Sequence, residues 1–295
     1  MLKIQFLNGG LANQAFQYIF ARYYELSHPG EIMYMDDSYF ALNTVHNGYE
    51  LEKVFGIKPH MLSEAFDADV WAYMLEQKKQ GKSIPWLLRD NGVDMKMVAE
   101  FNNYTQFNPF LGKVYQIPSG EYDPNILDFD ENIYYHGYWL NKGWFEMFKQ
   151  QFRMEFCFPA ITDEYNKALM HRILNEKSTA MHIRRGDYVD IGVAYDAEKY
   201  REMTQMYLDH FGGDTTLFVF SDDIAWAKEN SEAMLLNQFR ECVFVEGNMN
   251  GRNYRDLQLM SSCKYMIIGH SAFGFLAALL NIELISCVNA SNREV

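Results

Sequence analysis

The most informative stretch of the chain is Thr179-Ala180-Met181-His182-Ile183-Arg184-Arg185-Gly186-Asp187-Tyr188-Val189. The apolar beginning of this stretch predicts a buried strand, and the glycine predicts a turn where the strand ends. Two guanidinium groups and an imidazole follow one another there, in a protein whose formal charge is −13. Because arginine forks match phosphate oxygens, we expect the positively charged side chains at the end of this strand to hold a small anionic ligand.

Outward from this strand, the second half of the chain alternates strands with helices. The predicted strands are 179–184, 216–220, 242–245, 265–268 and 284–288, and the predicted helices are 163–175, 197–211, 224–231, 255–262 and 273–280. This alternation predicts a parallel sheet with right-handed crossovers. Open sheets of this kind bind ligands beyond the carboxyl ends of their strands, which is where the arginines lie.

The first half opens in the same way. A strand over 2–7, the turn Asn8-Gly9-Gly10 and a helix over 12–27 form an entry typical of nucleotide-binding folds. Further predictions are a strand at 32–35, interrupted helix over 60–105, loops and short strands over 101–138, a strand at 132–139 and a helix at 144–156. We place the boundary so that the domains are 1–155 and 156–295.

The amino-acid composition excludes some classes of partner and suggests where the protein is located. The chain has 295 residues, 48% of them hydrophobic, which suits two packed domains. With 39 acidic against 26 basic residues, nucleic acid and anionic membrane are poor candidates for the main partner. Four widely spaced cysteines without a CxxC indicate reduced thiols. Polar residues interrupt the most apolar region, 265–288, which argues against a membrane span there. We therefore expect a cytoplasmic protein without a transmembrane segment, and leave contact with the inner face of the membrane open.

The motif after the first strand of the second half offers two readings. Alternation puts His182 and Arg184 on one face, where both can address one ligand. Arg185 lies at the turn and is expected to point elsewhere, for example to Asp187. The alternative is a purely structural Arg–Asp pair that closes the turn.

Two further strand ends carry polar residues. Ser221-Asp222-Asp223 follows the next strand, where capping of the following helix competes with the orientation of a guanidinium by Asp222. Asp256 heads a late helix, as a cap, a helix-dipole partner or a ligand contact. Ser271-Ala272-Phe273 opens another helix, whose first backbone amides would bind an anion.

Other signals are weak. The opening Gly9–Gln14 lacks both the GxGxxG spacing and the GK[ST] ending of phosphate-binding loops. Asp128-Phe129-Asp130 is similar to the DxD of metal-dependent sugar transferases, but no histidine or cysteine cluster accompanies it. No metal site is predicted.

Together these segments resemble glycosyltransferase family 11, the bacterial α-1,2-fucosyltransferases, which are related to the α-1,6- and protein O-fucosyltransferases. Gly9–Gln14 corresponds to the family's GGLGNQ-type segment, and His182–Asp187 to its HxRRxD motif. The segments 220–223 and 256–273 correspond to the remaining motifs. Ala12 departs from the family glycine, and 269–276 lacks the family's asparagine and two tryptophans.

The resemblance implies an α/β fold of the GT-B type, with two Rossmann-like lobes facing across a cleft. It implies an acceptor-side N-terminal domain, a C-terminal domain that binds GDP-fucose, and no cofactor or metal. It assigns Arg184 to the β-phosphate, His182 to the vicinity of the nucleotide, Asp256 to the nucleoside and 271–273 to the phosphates. It places Asn13 near the diphosphate, and the remaining donor-binding residues in this assignment are Gly10, Leu11, Arg185 and Asp222.

The implied reaction is inverting transfer of fucose from GDP-β-L-fucose to the 2-hydroxyl of a galactose-terminated glycan. Arg184, His182 and Asp187 are the catalytic candidates; the last two are proton acceptors by position only. Three alternatives stay open: a transferase with another GDP-sugar or acceptor position, a catalytically impaired nucleotide-sugar-binding protein, and a nicotinamide oxidoreductase.

Overall fold

The computed structural model describes residues 1–44, 47–101 and 114–290. The chain divides into two units, Met1–Cys157 and Phe158–Val295. The boundary therefore lies two residues beyond the one placed from the sequence.

The first unit is a parallel sheet with helices. Its strands are β1 (Lys3–Phe6), β2 (Met33–Asp36), β3 (Met95–Phe101), β4 (Val114–Pro118) and β5 (Asn132–His136), in the order β2-β1-β5-β3-β4. Its helices are α1 (Leu11–Ser27), α2 (Ser38–Leu42), α3 (Leu51–Phe55), α4 (Ala68–Lys79), α5 (Ile84–Asp90), α6 (Gly143–Glu146) and α7 (Lys149–Glu155). Short 3₁₀ turns occupy Leu62–Ala65 and Pro124–Leu127.

Two predictions in this unit are wrong in part. The helical pattern assigned to 60–105 ends earlier, because β3 pairs in parallel with β4 and β5. The helix assigned to 144–156 is two short helices, α6 and α7, separated at Phe148, whose φ of −119° and ψ of 30° are not helical. Burial of Trp144, Phe145 and Phe152 outweighs helix continuity here.

The second unit matches its sequence prediction to within two residues at every element end. After α8 (Glu164–Asn175) come β6 (Ser178–Ile183), α9 (Gly186–Asp190), α10 (Ala197–Phe211), β7 (Thr216–Ser221), α11 (Ile224–Glu229), β8 (Glu241–Phe244), α12 (Tyr254–Met260), β9 (Tyr265–Ile268), α13 (Ala272–Leu280) and β10 (Ser286–Asn289). A 3₁₀ turn spans Leu236–Gln238, and α9 was not predicted. Neighbouring strands pair in parallel, in the order β10-β9-β6-β7-β8. The α/β prediction is confirmed.

Strand β6 lies at the centre of this sheet, and all six of its residues are buried. Met181 and Ile183 pack on one face with Tyr200, Met203 and other core residues. β9 and β7 flank β6, so the carboxyl ends of the three strands meet at one edge. The segments that begin at His182, Ser221 and Gly269 are therefore brought together.

Within the three described ranges, no helix combines the length and the apolar character needed to cross a membrane. Helix α13 is strongly apolar but has only nine residues. About 20 residues are needed to span the hydrocarbon core of a bilayer.

Candidate functional site

Arg184 lies directly beyond the carboxyl end of β6 and is held between two carboxylates. Its Nη2 is 2.5 Å from Asp187 Oδ1, and its Nη1 is 2.6 Å from Asp222 Oδ2. The guanidinium carbon lies 5.3 Å from the centre of the Tyr188 ring. Contacts on both arms of the fork fix the plane of the guanidinium, while the side chain stays partly exposed. The motif therefore presents an oriented arginine at the sheet edge.

Arg185 does not pair with Asp187, so that expectation was wrong. Its Nε donates to Asp223 Oδ2 over 3.2 Å, and its guanidinium carbon lies 3.8 Å from the centre of the Trp226 ring. The turn after β6 directs Arg185 toward α11, where the tryptophan offers a ring face. The two neighbouring arginines thus have different partners.

Asp222 organises the turn on the β7 side, as predicted. Besides the ion pair with Arg184, its Oδ1 accepts from the backbone N–H of Arg185 over 2.8 Å. A Cβ on Gly186 would lie 2.5 Å from Asp222 Oδ2, so the ion pair requires glycine there. Asp223 caps α11 by accepting from the Trp226 N–H over 3.2 Å, which confirms the capping prediction for that residue.

His182 adds no positive charge to this edge at neutral pH. Burial, with the nearby Arg184 and His270, lowers the pKa of His182 to about 3. The two arginines face Asp187, Asp222 and Asp223, so two positive and three negative groups leave a formal charge of −1. The expectation of a cationic site is therefore wrong. The site holds oriented donors whose charge is already offset.

The start of α13 approaches His182 closely. The Phe273 ring lies 5.4 Å from the His182 ring, centre to centre, and a Cβ on Gly274 would lie 3.3 Å from His182 Nδ1. Ser271 caps the helix, because its Oγ accepts from the Phe273 N–H over 3.2 Å. One of the backbone amides assigned to phosphate at 271–273 is therefore already in use within the helix.

A cluster of aromatic side chains adjoins Arg184, and the sequence analysis assigned no role to Tyr188 and Tyr195 within it. The Tyr188 and His270 rings are nearly parallel with centres 5.0 Å apart, and Tyr195 approaches His270 to 4.3 Å. Tyr188 also lies under Arg184. The position of Tyr188, one residue after the motif, was the available signal.

Asp256 belongs to a different cluster of the same unit. It lies in the first turn of α12, whose N-cap position is Asn253, so Asp256 is not the cap. Its Oδ1 accepts from Asn248 Nδ2 over 2.8 Å. Burial raises the pKa of Asp256 to about 7, although the side chain retains some accessible surface.

In the first unit, Gly10, Leu11 and Asn13 frame the N-terminus of α1. Gly9 has a φ of +79°, and a Cβ there would lie 2.6 Å from Asn13 Nδ2, so only glycine fits. Gln14 Nε2 holds the loop by donating to the Gly9 carbonyl over 2.9 Å. Ala12 lies inside the helix, so its departure from the family glycine needs no unusual backbone.

Glu50 also lies at this helix start and was missed, because no sequence motif marks it. The side chain is buried, and its backbone N–H donates to Gln14 Oε1 over 2.9 Å. The Leu11 N–H faces the Glu50 carboxylate, and Asn47 Nδ2 donates to its Oε1 over 3.2 Å. No group in the described part of the chain hydrogen-bonds to Glu50 Oε2. Burial raises the pKa of this carboxyl.

The DxD-like segment lies at the wrong edge for a donor site. It directly precedes β5, and Lys3 at the start of β1 donates from Nζ to the Phe129 carbonyl over 2.5 Å. Asp128 pairs with His28 Nε2 at 3.2 Å. Across the described ranges, no group of three or more His, Cys, Asp or Glu residues is arranged to hold a metal ion.

Comparison with known proteins identifies the family and the fold class of the chain. The family model for glycosyl transferase family 11 matches residues 4–293, so the chain belongs to glycosyl transferase family 11. The solved structure of the fucosyltransferase NodZ from Bradyrhizobium is similar over 100% of this chain and 97% of its own, with a TM-score of 0.54 at 10% identity. The GT-B fold class is thereby confirmed.

Two curated relatives match most of the chain. An α-1,2-colitosyltransferase from Escherichia coli is 28% identical over 93% of this chain and 86% of the relative. The O-antigen biosynthesis glycosyltransferase WbnK from Escherichia coli is 26% identical over 93% and 89%, respectively. The chain is a glycosyltransferase of the fucosyltransferase family.

Replacing the buried imidazole of His182 should reduce the loss of unfolding free energy as the pH falls. In the unfolded chain His182 is protonated as the pH falls through 6.5, whereas in the folded chain its pKa is lowered to about 3. The unfolded state therefore binds more protons between these values, and stability falls as the pH falls through this window. Urea unfolding at pH 7.5 and pH 5 should show wild type losing about 2 kcal/mol more than His182→Gln. The exposed His171→Gln is the control, and equal losses in wild type and His182→Gln would contradict the burial argument.

Replacing the buried glutamate should stabilise the protein at alkaline pH. The folded pKa of Glu50 lies above its ordinary value of 4.5, so the stability present below that pH is lost as the pH rises through the folded pKa. Glu50→Gln is neutral throughout and escapes this loss. Melting temperatures at pH 5 and pH 8 should show a gain for Glu50→Gln that grows with pH, with the half-exposed Glu52→Gln as control. Melting curves of Glu50→Gln that follow wild type at both pH values would refute the argument.

Proposed function

We propose that the protein transfers L-fucose, with inversion, from GDP-β-L-fucose to the 2-hydroxyl of a terminal galactoside. The observation that carries this proposal is the oriented Arg184 fork at the carboxyl end of the central strand. It stands in the segment that corresponds to the family's most specific motif. Family membership and the α-1,2 linkage in the name of one relative support the reaction type.

In the proposed reaction, departure of GDP leaves extra negative charge on the diphosphate. Arg184 stabilises this charge without reorienting, because Asp222 holds its fork from the less exposed side. Asp187 is the more exposed partner, with 53% of its side chain accessible against 22% for Asp222. The β-phosphate therefore replaces Asp187 on the guanidinium, and Asp222 stays.

The displaced Asp187 is our candidate for the acceptor's proton. His182 fits this role less well, because it is buried and its Nδ1 faces Gly274. The proposed reaction uses no metal, because the DxD-like carboxylates lie at the amino edge of the first sheet and Asp128 is paired with His28. Arg184 and backbone amides at the start of α13 supply the stabilisation instead.

The strongest alternative changes the donor sugar. One relative over most of the chain is named an α-1,2-colitosyltransferase, and colitose is fucose without its 3-hydroxyl. The same diphosphate contacts and the same linkage would serve this sugar. A nucleotide-sugar-binding protein without turnover is the second alternative, motivated by the altered 269–276 segment.

Arg184→Ala should lower turnover with GDP-fucose by about 10²–10³-fold, the usual cost of losing an oriented donor to developing charge. The matched control is Arg172→Ala. Arg172 also spans two carboxylates, with Nε 2.8 Å from Glu176 and Nη2 2.6 Å from Glu241 at the amino end of β8. Arg172→Ala should turn over normally, as measured by GDP release. Near-normal turnover in folded Arg184→Ala would sink the proposal.

A donor panel identifies the sugar and the linkage. The protein is incubated with GDP-fucose or GDP-colitose and lactose, with and without chelator, and the products are analysed by NMR. We expect an α-1,2-fucosylated product that forms equally with chelator. A preference for GDP-colitose would favour the first alternative, and GDP binding without product from either donor would favour the second.

A further inference from the structure

Four polar side chains of the second unit form a hydrogen-bonded chain that ends at Asp256. Asp163 caps α8, and its carboxylate accepts from Asn166 Nδ2 over 3.0 and 3.1 Å. Asn166 and Asn248 exchange two hydrogen bonds, each 2.9 Å long. Asn248 Nδ2 also donates to Asp256 Oδ1 over 2.8 Å. The two amides are only 2% and 3% exposed, so the chain is part of the interior.

The orientation of both amides in this series of hydrogen bonds follows from which groups can donate and which can only accept. A carboxylate only accepts, so Asn166 must turn its NH₂ group toward Asp163, which leaves its carbonyl oxygen for Asn248. Asn248 must then present its own NH₂ group to Asn166 Oδ1 and Asp256 Oδ1. Neither amide can flip without breaking several buried hydrogen bonds. Asp256 therefore has one carboxylate oxygen tied in a known orientation.

The backbone around these four hydrogen-bonded side chains is held in place as well. Asn250 and Gly251 have φ values of 58° and 83°, and Arg252 Nη2 donates to the Gly247 carbonyl over 2.7 Å. Arg255, the neighbour of Asp256, is buried and donates to the carbonyls of Pro159 and Ala160 over 2.6 and 2.7 Å. These contacts hold the start of α12 against the segment that leads into α8. The carboxylate of Asp256 is thus set by its surroundings before any ligand binds.

A carboxylate held in this way suits one nucleobase in particular. Guanine presents two adjacent donors, the ring N1–H and the 2-amino group, which pair with the two oxygens of a carboxylate. Hypoxanthine lacks the amino group, and adenine offers an acceptor at ring N1. Without its tether, the carboxylate would lose rotamer freedom on binding, which weakens the contact.

We propose that Asn248, held by Asn166 and Asp163, is a positioning residue that aims Asp256 at the guanine base and sets the preference for guanine. This inference rests on the proposed function, because it takes the donor to be a guanosine nucleotide. Asn248 acts only through Asp256 and does not touch the reacting atoms. Its removal should therefore change which base binds, and not the rate of sugar transfer from a saturated site.

The test is calorimetric binding of GDP, IDP and ADP to the full chain, together with donor kinetics. Asn248→Ala should weaken GDP binding about tenfold, as expected for a lost hydrogen bond to a charged group, and should shrink the ratio of GDP to IDP affinity. The KM for the donor should rise, while kcat at saturating donor stays near wild type. The control is Asn281→Ala, because Asn281 is a buried amide of the same unit that donates to the Cys263 carbonyl over 2.7 Å. It should lower the melting temperature and leave the affinity ratio unchanged.

A second variant keeps the test decisive if Asn248→Ala does not fold. Asn166→Ala leaves the hydrogen bond from Asn248 to Asp256 in place but removes its orientation, so it should reduce the GDP to IDP ratio by less. Where Asn248→Ala does fold, the double variant should resemble it, because Asn166 works through Asn248. Folded Asn166→Ala with a wild-type ratio would overturn the inference.

The inference and the proposed function fail in distinguishable ways. If wild type does not bind GDP, the proposed function fails. If Asp256→Asn loses GDP but folded Asn248→Ala binds all three nucleotides as wild type does, only the positioning role is wrong. A uniform loss for GDP, IDP and ADP in Asn248→Ala would show a merely structural residue and would also overturn the inference.

Discussion

The ion pair between Arg184 and Asp222 joins the carboxyl ends of two neighbouring strands, and the candidate site is arranged around it. Asp222 also accepts a hydrogen bond from the backbone N–H of Arg185, which shapes the turn after β6. The Tyr200 hydroxyl accepts from the Arg184 N–H over 3.1 Å, and so ties the same turn to the core helix α10. The missing Cβ of Gly186 is what allows the carboxylate this position. The arginine fork is therefore oriented before ligand binds, which is the condition for stabilising charge without reorganisation.

This arrangement changes how an acidic protein can hold an anion. With His182 neutral and three carboxylates beside two arginines, the edge offers no net positive charge to attract a diphosphate from a distance. Binding is then an exchange at short range, in which a phosphate oxygen replaces an exposed carboxylate on an oriented donor. Specificity under such an exchange comes from geometry, because a misplaced anion would leave both the carboxylate and the phosphate poorly paired.

How much the sequence could reveal depends on how far apart the partners are along the chain. The second unit was predictable because its buried strands are continuous apolar runs between clear turn residues. β3 was not, because Glu100 is buried only by virtue of distant partners: it accepts from the N–H groups of Tyr138 and Trp139 over 2.6 and 3.0 Å. Asn248 escaped notice for the same reason, since its main partner, Asn166, is 82 residues away. Arg185 was misassigned because the side toward which a turn directs a side chain depends on what packs there, here Trp226.

The two helix starts in the predicted donor site differ in a way that bears on where the diphosphate lies. At the start of α1, the Leu11 amide faces the buried carboxyl group of Glu50, so an acidic side chain already occupies that position. At the start of α13, the cap is the neutral hydroxyl of Ser271. A helix N-terminus favours one anion, and a second anion brought beside a buried carboxylate would be repelled at low dielectric constant. Within the proposed function, this difference favours α13 and Arg184 for the diphosphate.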